Sequence, residues 1–172
     1  MRSVLVLALL TGSLVAASPA DAVTVRSADR LERNVLARVN VVRKNHGLKA
    51  LTARPRLQNA ANAHAGNMAR NGYFAHEWSD GASFGRWIRR FWPGPGFRSW
   101  SAGENLYWEG PSTTARRVVR AWMNSPGHRK NMLSRDWRYL GVGAVKAINP
   151  RGAYARVDTA FIVALELGNR SG

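Results

Sequence analysis

The chain contains no cysteine. Disulfides, a thiolate nucleophile and any sulfur-ligated metal site are thereby excluded, and stability has to come from packing. Acidic residues are scarce as well: 10 Asp and Glu stand against 26 Lys and Arg, for a formal net charge of +16. Beyond the N-terminal segment no run is apolar over the roughly 20 residues that a membrane-spanning helix needs. Internal repeats, low-complexity stretches and linker-like segments are also missing, so the chain reads as one folding unit.

What the N-terminus does contain is an export signal. Met1-Arg2 gives a short positive start, and Val4 to Ala17 is an apolar run broken only by Thr11-Gly12-Ser13. Ala20-Asp21-Ala22 then supplies small residues at the spacing a signal peptidase reads. Residues 1–22 are expected to be a signal peptide and 23–172 a single domain large enough for one core. The mature protein is expected to be secreted or periplasmic, monomeric and without a transmembrane segment.

Most of the positive charge is arginine, the lysines being Lys44, Lys49, Lys130 and Lys146. Arginine grips phosphate and carboxylate through two parallel hydrogen bonds and stacks on rings. The composition therefore suits an anionic cell-envelope polymer or lipid as partner. It does not suit specific nucleic-acid binding. The charge is scattered from Arg26 to Arg170, with neither a basic helix nor an RNP-like aromatic strand.

Leu31, Val35, Val39 and Val42 recur at helical spacing with Arg33, Arg38 and Arg43 off the stripe, which predicts an amphipathic helix over 29–45. Asp29 is expected to cap its start and His46-Gly47 to end it. A second helix opens at Arg54-Pro55, carries Leu57, Ala60, Ala61, His64, Ala65, Met68 and Ala69 on one face, and stops at Asn71-Gly72. Ser83 is expected to cap a short helix that Pro93-Gly94-Pro95-Gly96 breaks, and Thr113 or Thr114 to start another with Val118, Val119 and Trp122 inward. Leu140–Val145 and Ala160–Leu165 are apolar runs of strand length, joined through the turn at Asn149-Pro150-Arg151-Gly152 into a hairpin. Helices, a mixed middle and then paired strands make an α+β domain with helices packed on an antiparallel sheet.

Three phrases carry candidate chemistry: Phe74-Ala75-His76, Gly103-Glu104-Asn105 and Asn124-Ser125-Pro126-Gly127-His128. Two imidazoles and a carboxylate from separate elements are a common way to hold a divalent cation with one position open. Pro126 forces a break and Ser125 is a natural N-cap, so His128 falls at the third position of a new helix. The positive end of that helix favours a neutral, ligating ring. Tyr73-Phe74 would give His76 a partly dry wall. Two readings stay open for Glu104, a metal ligand or a structural salt bridge. Two also stay open for His64: a core histidine with both nitrogens satisfied, or a group in or behind the site.

Taken together, these phrases resemble the CAP superfamily of cysteine-rich secretory proteins, antigen 5 and pathogenesis-related 1, in its cysteine-free bacterial branch. The resemblance runs from Asn40-Val41-Val42-Arg43 through His64, His76 and Gly103-Glu104-Asn105-Leu106 to Trp122–Arg129 and Leu140-Gly141-Val142-Gly143. It implies a three-layer α–β–α sandwich with a small antiparallel sheet. It also implies a cleft of two histidines and two acids, which in some members holds zinc or another divalent ion. His76, Glu104 and His128 match three of those positions. Ser125 stands where the second acid would align, with Ser125, His64 and Asn105 left to line or back the cleft.

Two function classes follow. The first is a binding module for an anionic or lipidic envelope ligand, with a divalent metal in the cleft. The second is a metal-assisted, peptidase-like hydrolase whose bound water is made acidic by the ion, with His64 or Ser125 assisting. The binding module is favoured, because the sequence shows no unligated acid to serve as general base. Gly81-Ala82-Ser83-Phe84-Gly85 matches a nucleophile-elbow pattern, but it follows no strand and the chain is too short for an α/β-hydrolase.

Overall fold

The computed structural model describes residues 22–172. The signal peptide expected over 1–22 lies outside them, Ala22 excepted. Ten main elements follow one another. They are β1 (Thr24–Ser27), α1 (Asp29–Asn45), β2 (Thr52–Ala53), α2 (Pro55–Asn71) and α3 (Phe84–Trp87), then β3 (Ser99–Glu109), α4 (Ala115–Asn124), α5 (Pro126–Leu133), β4 (Tyr139–Ile148) and β5 (Thr159–Ser171).

The helices fall where the apolar stripes put them. α1 buries Val35 and Val39 and ends at His46. Its N-cap is Ala28, and Asp29 is instead the first helical residue, accepting a hydrogen bond from the Ser27 hydroxyl. α2 starts with Pro55 at its first turn and buries Leu57, Ala61, His64 and Met68. Thr114 caps α4, its hydroxyl accepting from the Arg117 amide at 3.3 Å. Ser83 and Ser125 hold cap positions by backbone geometry, without a side-chain hydrogen bond to their helices.

The sheet runs β1-β4-β5-β3, with β2 added beside β4. All pairings are antiparallel except the short β2–β4 one. The predicted hairpin is β4–β5, in register from Tyr139 opposite Gly168 to Ile148 opposite Thr159. Between β1 and β2 the edge of β4 would be left bare, and side chains fill the gap. Gln58 accepts from the Val142 amide at 3.2 Å and donates to its carbonyl, while Glu32 accepts from the Ala144 amide at 3.0 Å.

Strand alternation sorts the core into two layers. Leu140, Val142, Ala144, Val163, Leu165 and Leu167 face α1, α4 and α5, where they meet Val35, Val39, Val118, Trp122 and Met132. The opposite face takes α2. Here Gly141 and Gly143 let the helix sit against the strand, since a Cβ on either would run into the backbone of Leu57 or Ala61. The result is the α–β–α sandwich implied by the sequence. On the α2 face the apolar core divides in two, one part around Ala61, Leu106 and Ile162 and the other around Leu57, Trp87 and Trp92. Glu104 and Glu166 lie between them in strand order.

Candidate functional site

Glu104 stands in β3 between Ala102 and Leu106 and points with them toward α2. It is 4% exposed, so its charge is taken out of water. Each oxygen meets an imidazole: Oε2 lies 2.6 Å from His64 Nδ1, and Oε1 lies 2.6 Å from His76 Nδ1. Burial works to raise the Glu104 pKa, but the hydrogen bonds from His64 and His76 outweigh it and hold the carboxyl below its ordinary value.

His64 is fully buried on α2. Its other nitrogen, Nε2, faces the Glu77 carbonyl at 3.2 Å. A carbonyl only accepts, so Nε2 is the donor on that side, and Nδ1 is the atom that faces Glu104 and is available to a cation. The dry wall expected beside His76 encloses His64 instead. Trp87 lies 4.5 Å, Trp78 5.6 Å and Tyr73 6.3 Å from its ring, centroid to centroid. Phe74 turns outward, 39% exposed. His64 thus has both nitrogens satisfied and also stands in the site.

His76 is at the rim, with half of its side chain exposed. The Trp87 indole holds its carbonyl at 2.8 Å and so fixes this loop. The hydrogen bond to Glu104 raises the His76 pKa against the opposing effect of burial. His128 behaves oppositely. Burial, helped by repulsion from His76, lowers its pKa, which keeps the ring neutral and sets it within electrostatic reach of His76.

His128 is the third residue of α5, as its sequence context requires. Two asparagines fasten this helix to β3: Asn105 donates to the His128 carbonyl at 3.0 Å, and Asn131 to the Glu104 carbonyl at 3.1 Å. Asn105 is therefore a brace for the His128 turn, on the opposite side of β3 from the Glu104 carboxylate. Ser125, half-buried, sits at the α4–α5 junction. Gly103 serves close approach, since a Cβ there would lie 2.8 Å from the Trp137 ring.

Sequence reasoning passed over Glu166. It pairs directly across from Glu104 in the β3–β5 register. Glu166 is fully buried, and the Glu104 carboxylate is the group its own carboxyl meets. Burial pushes its pKa well up, and the Glu104 charge adds to this. Ligand atoms of His64, Glu104 and Glu166 all lie within 4.8 Å of one another. One signal was available: in β5 the alternation that points Ala160, Ile162 and Ala164 inward also points residue 166 inward.

Comparison with known proteins places the fold. The profile of the CAP family, described as the cysteine-rich secretory protein family, matches residues 36–162. The Bacillus subtilis (strain 168) protein YkwD is 34% identical over 121 residues, covering 70% of this chain and 45% of that protein. The membrane protein YlbC of the same organism is 35% identical over 116 residues, covering 65% of this chain and 31% of that protein. This chain therefore spans less than half of either relative. Among solved structures, an extracellular protein containing an SCP domain from Bacillus anthracis str. Ames has a TM-score of 0.62 at 25% identity, covering 81% of this chain and 40% of that one. An outer surface protein from Borrelia burgdorferi shares the fold with a TM-score of 0.69 at 20% identity, covering 86% of this chain and 98% of that one.

Proposed function

This chain belongs to the CAP family of cysteine-rich secretory proteins, and from that premise we propose that it is an exported, monomeric binding module for anionic or lipidic cell-envelope material that holds a divalent cation beside Glu104. The observation that carries the cation is the donor set. A buried carboxylate has an imidazole on each oxygen, and a second buried carboxyl beside it meets only that carboxylate. Two carboxylates and a neutral imidazole balance a divalent charge, and their nitrogen and oxygen atoms suit zinc and its neighbours.

In this reading His64, Glu104 and Glu166 form the inner side of the site. His76 closes it toward solvent, and His128, kept neutral, is the ring available at the open side. A bound ion would supply charge neutralisation and a coordination position for a ligand. The aromatic wall of Tyr73, Trp78 and Trp87 keeps bulk water from the inner side. Export is supported by the signal-like pattern of the N-terminal sequence and by the extracellular description of the Bacillus anthracis neighbour. Among the described residues no helix is long and apolar enough to cross a membrane.

Metal analysis of purified residues 23–172, with His76→Ala, His128→Ala and Glu166→Gln beside the wild type, tests the cation. About one equivalent of metal in the wild type, lost or weakened on replacing Glu166 and His76, is the expected result. A wild type that takes up no divalent ion under titration would overturn it. For the envelope partner, co-sedimentation with anionic material should weaken sharply from low to physiological salt.

The hydrolytic alternative draws on one observation, the neutral His128, since a neutral imidazole can take a proton. Two others favour binding. Glu166 is sealed from any substrate, and among the described residues no hydrogen bond activates Ser125. Metal-dependent peptide or ester cleavage that disappears in His128→Ala would decide for the hydrolase.

A further inference from the structure

Where the loop after α1 folds over the start of β4, a cavity of about 610 Å³ opens. Five of its lining residues are cationic (Arg43, Lys49, Arg54, Arg135 and Arg138) and none is acidic. None of the five meets a carboxylate. The ion pairs of Arg90 with Asp80 and of Arg117 with Glu109 lie elsewhere.

Arg43 forms part of the wall. It is 2% exposed, and its guanidinium donates only to backbone carbonyls: Lys49 at 3.1 Å, Met132 at 2.8 Å and Ser134 at 2.9 Å. Burial lowers its pKa with no carboxylate acting the other way. Arg54 lies over the Tyr139 ring at 4.6 Å, which holds its planar group in place. Two donors on lining residues, Arg54 Nε and Trp137 Nε1, are buried without a hydrogen-bond partner.

Converging like charges repel, and concave walls of low dielectric strengthen the field they make. Guanidinium groups offer paired donors that match the oxygens of phosphate. A single monovalent anion would leave most of these charges unbalanced. The volume is in the range of roughly 300–1,000 Å³ that encloses a whole small ligand. We propose that this cavity binds a ligand bearing two or more phosphate groups, either a free diphosphate or a segment of a phosphodiester polymer. The phosphates lie among Arg54, Arg135 and Arg138, with the Trp137 ring beside them. A recessed site suits a ligand that enters it better than a flat lipid surface.

The inference rests on the envelope-binding half of the proposed function and is independent of the cation. His64 lies ten residues along α2 from Arg54, about 15 Å at 1.5 Å per residue.

Calorimetric titration with inorganic pyrophosphate and with a short glycerol-phosphate oligomer, at about physiological ionic strength, tests it. Arg135→Gln with Arg138→Gln removes two exposed charges from the cavity. Arg26→Gln with Arg156→Gln removes two exposed charges far from it in the chain. The cavity pair should weaken binding of both probes roughly tenfold or more, and the remote pair less than about twofold. Ligand should also change tryptophan fluorescence, and Trp137→Phe should abolish that change. Equal losses in both pairs would show a general field and overturn the cavity. So would a wild type that binds neither probe yet binds phosphatidylglycerol vesicles, which would leave envelope binding standing. Binding to none of the three would end both readings.

Discussion

Glu104 and Glu166 face each other across β3 and β5, two carboxylates in one dry layer under α2, with imidazoles on only one of them. The two acids are driven in opposite directions. Glu104 is held ionised by His64 and His76, and Glu166 is pushed toward its neutral form by burial and by Glu104 itself.

The first prediction concerns Glu166 and pH. Its folded pKa lies well above the ordinary 4.5 of the unfolded chain. Above that unfolded value the native state binds more protons than the unfolded one, so stability falls as pH rises. In metal-free protein Glu166→Gln should remove this slope and stabilise the fold at about pH 8 by on the order of 1–3 kcal/mol, because the amide can donate to Glu104. With a divalent ion bound the sign should reverse, the variant losing the metal-dependent rise in stability. Urea melts across pH, with chelator and with added metal, read both effects.

His76 should show the opposite dependence. Its folded pKa is raised, chiefly by the hydrogen bond to Glu104. The stabilisation is fully present below the unfolded value of 6.5 and is lost as pH rises through the folded one. Half-exposed pairs are screened, so His76→Ala should cost only about 0.2–1 kcal/mol at pH 5.5 in metal-free protein and less at pH 8.5. Equal costs at the two pH values would show that the ring acts by packing and not by charge.

Much of the fold was legible because the helices announce themselves locally. The α1 and α2 stripes, Pro55 at a first turn and the Ser125-Pro126 break are all read within a few residues. The candidate phrases were legible because they are local: His76, Glu104 and His128 each stand beside a structural punctuation mark. Glu166 was not, because its meaning comes from a strand register with a distant partner. The aromatic wall was assigned to the wrong histidine for a similar reason. The loop after α2 folds back, and the Glu77 carbonyl and Trp78 reach His64 across it. Tyr73 and Trp78, neighbours of His76 in sequence, pack on the His64 ring.

The Trp122 ring is the main anchor of α4. It is 1% exposed, and its N–H donates to the Leu106 carbonyl at 2.9 Å. Trp122→Ala should therefore cost roughly 3–5 kcal/mol in denaturant unfolding, as for other large buried rings. A loss below about 1 kcal/mol would show that α4 docks by other contacts.

The last prediction tests how α2 positions the site. Gly141 is paired with Glu166 in the β4–β5 register, and Gly143 lies two residues further along β4. At both positions a Cβ would meet helix backbone, Leu57 and Gln58 in one case and Ala61 and Asn62 in the other. Backbone cannot swing aside as a flexible side chain can, so the helix has to move off the sheet. Gly141→Ala or Gly143→Ala should destabilise the fold by about 3 kcal/mol or somewhat more, at the upper end of what overpacking costs. The movement should also part His64 from Glu104, which the 2.6 Å contact does not tolerate. Divalent-metal affinity should then fall in a variant that leaves every proposed ligand in place. Unchanged affinity in a folded Gly143→Ala protein would show that the cation does not depend on His64. The ligand set would then shift outward to His76, Glu104 and His128.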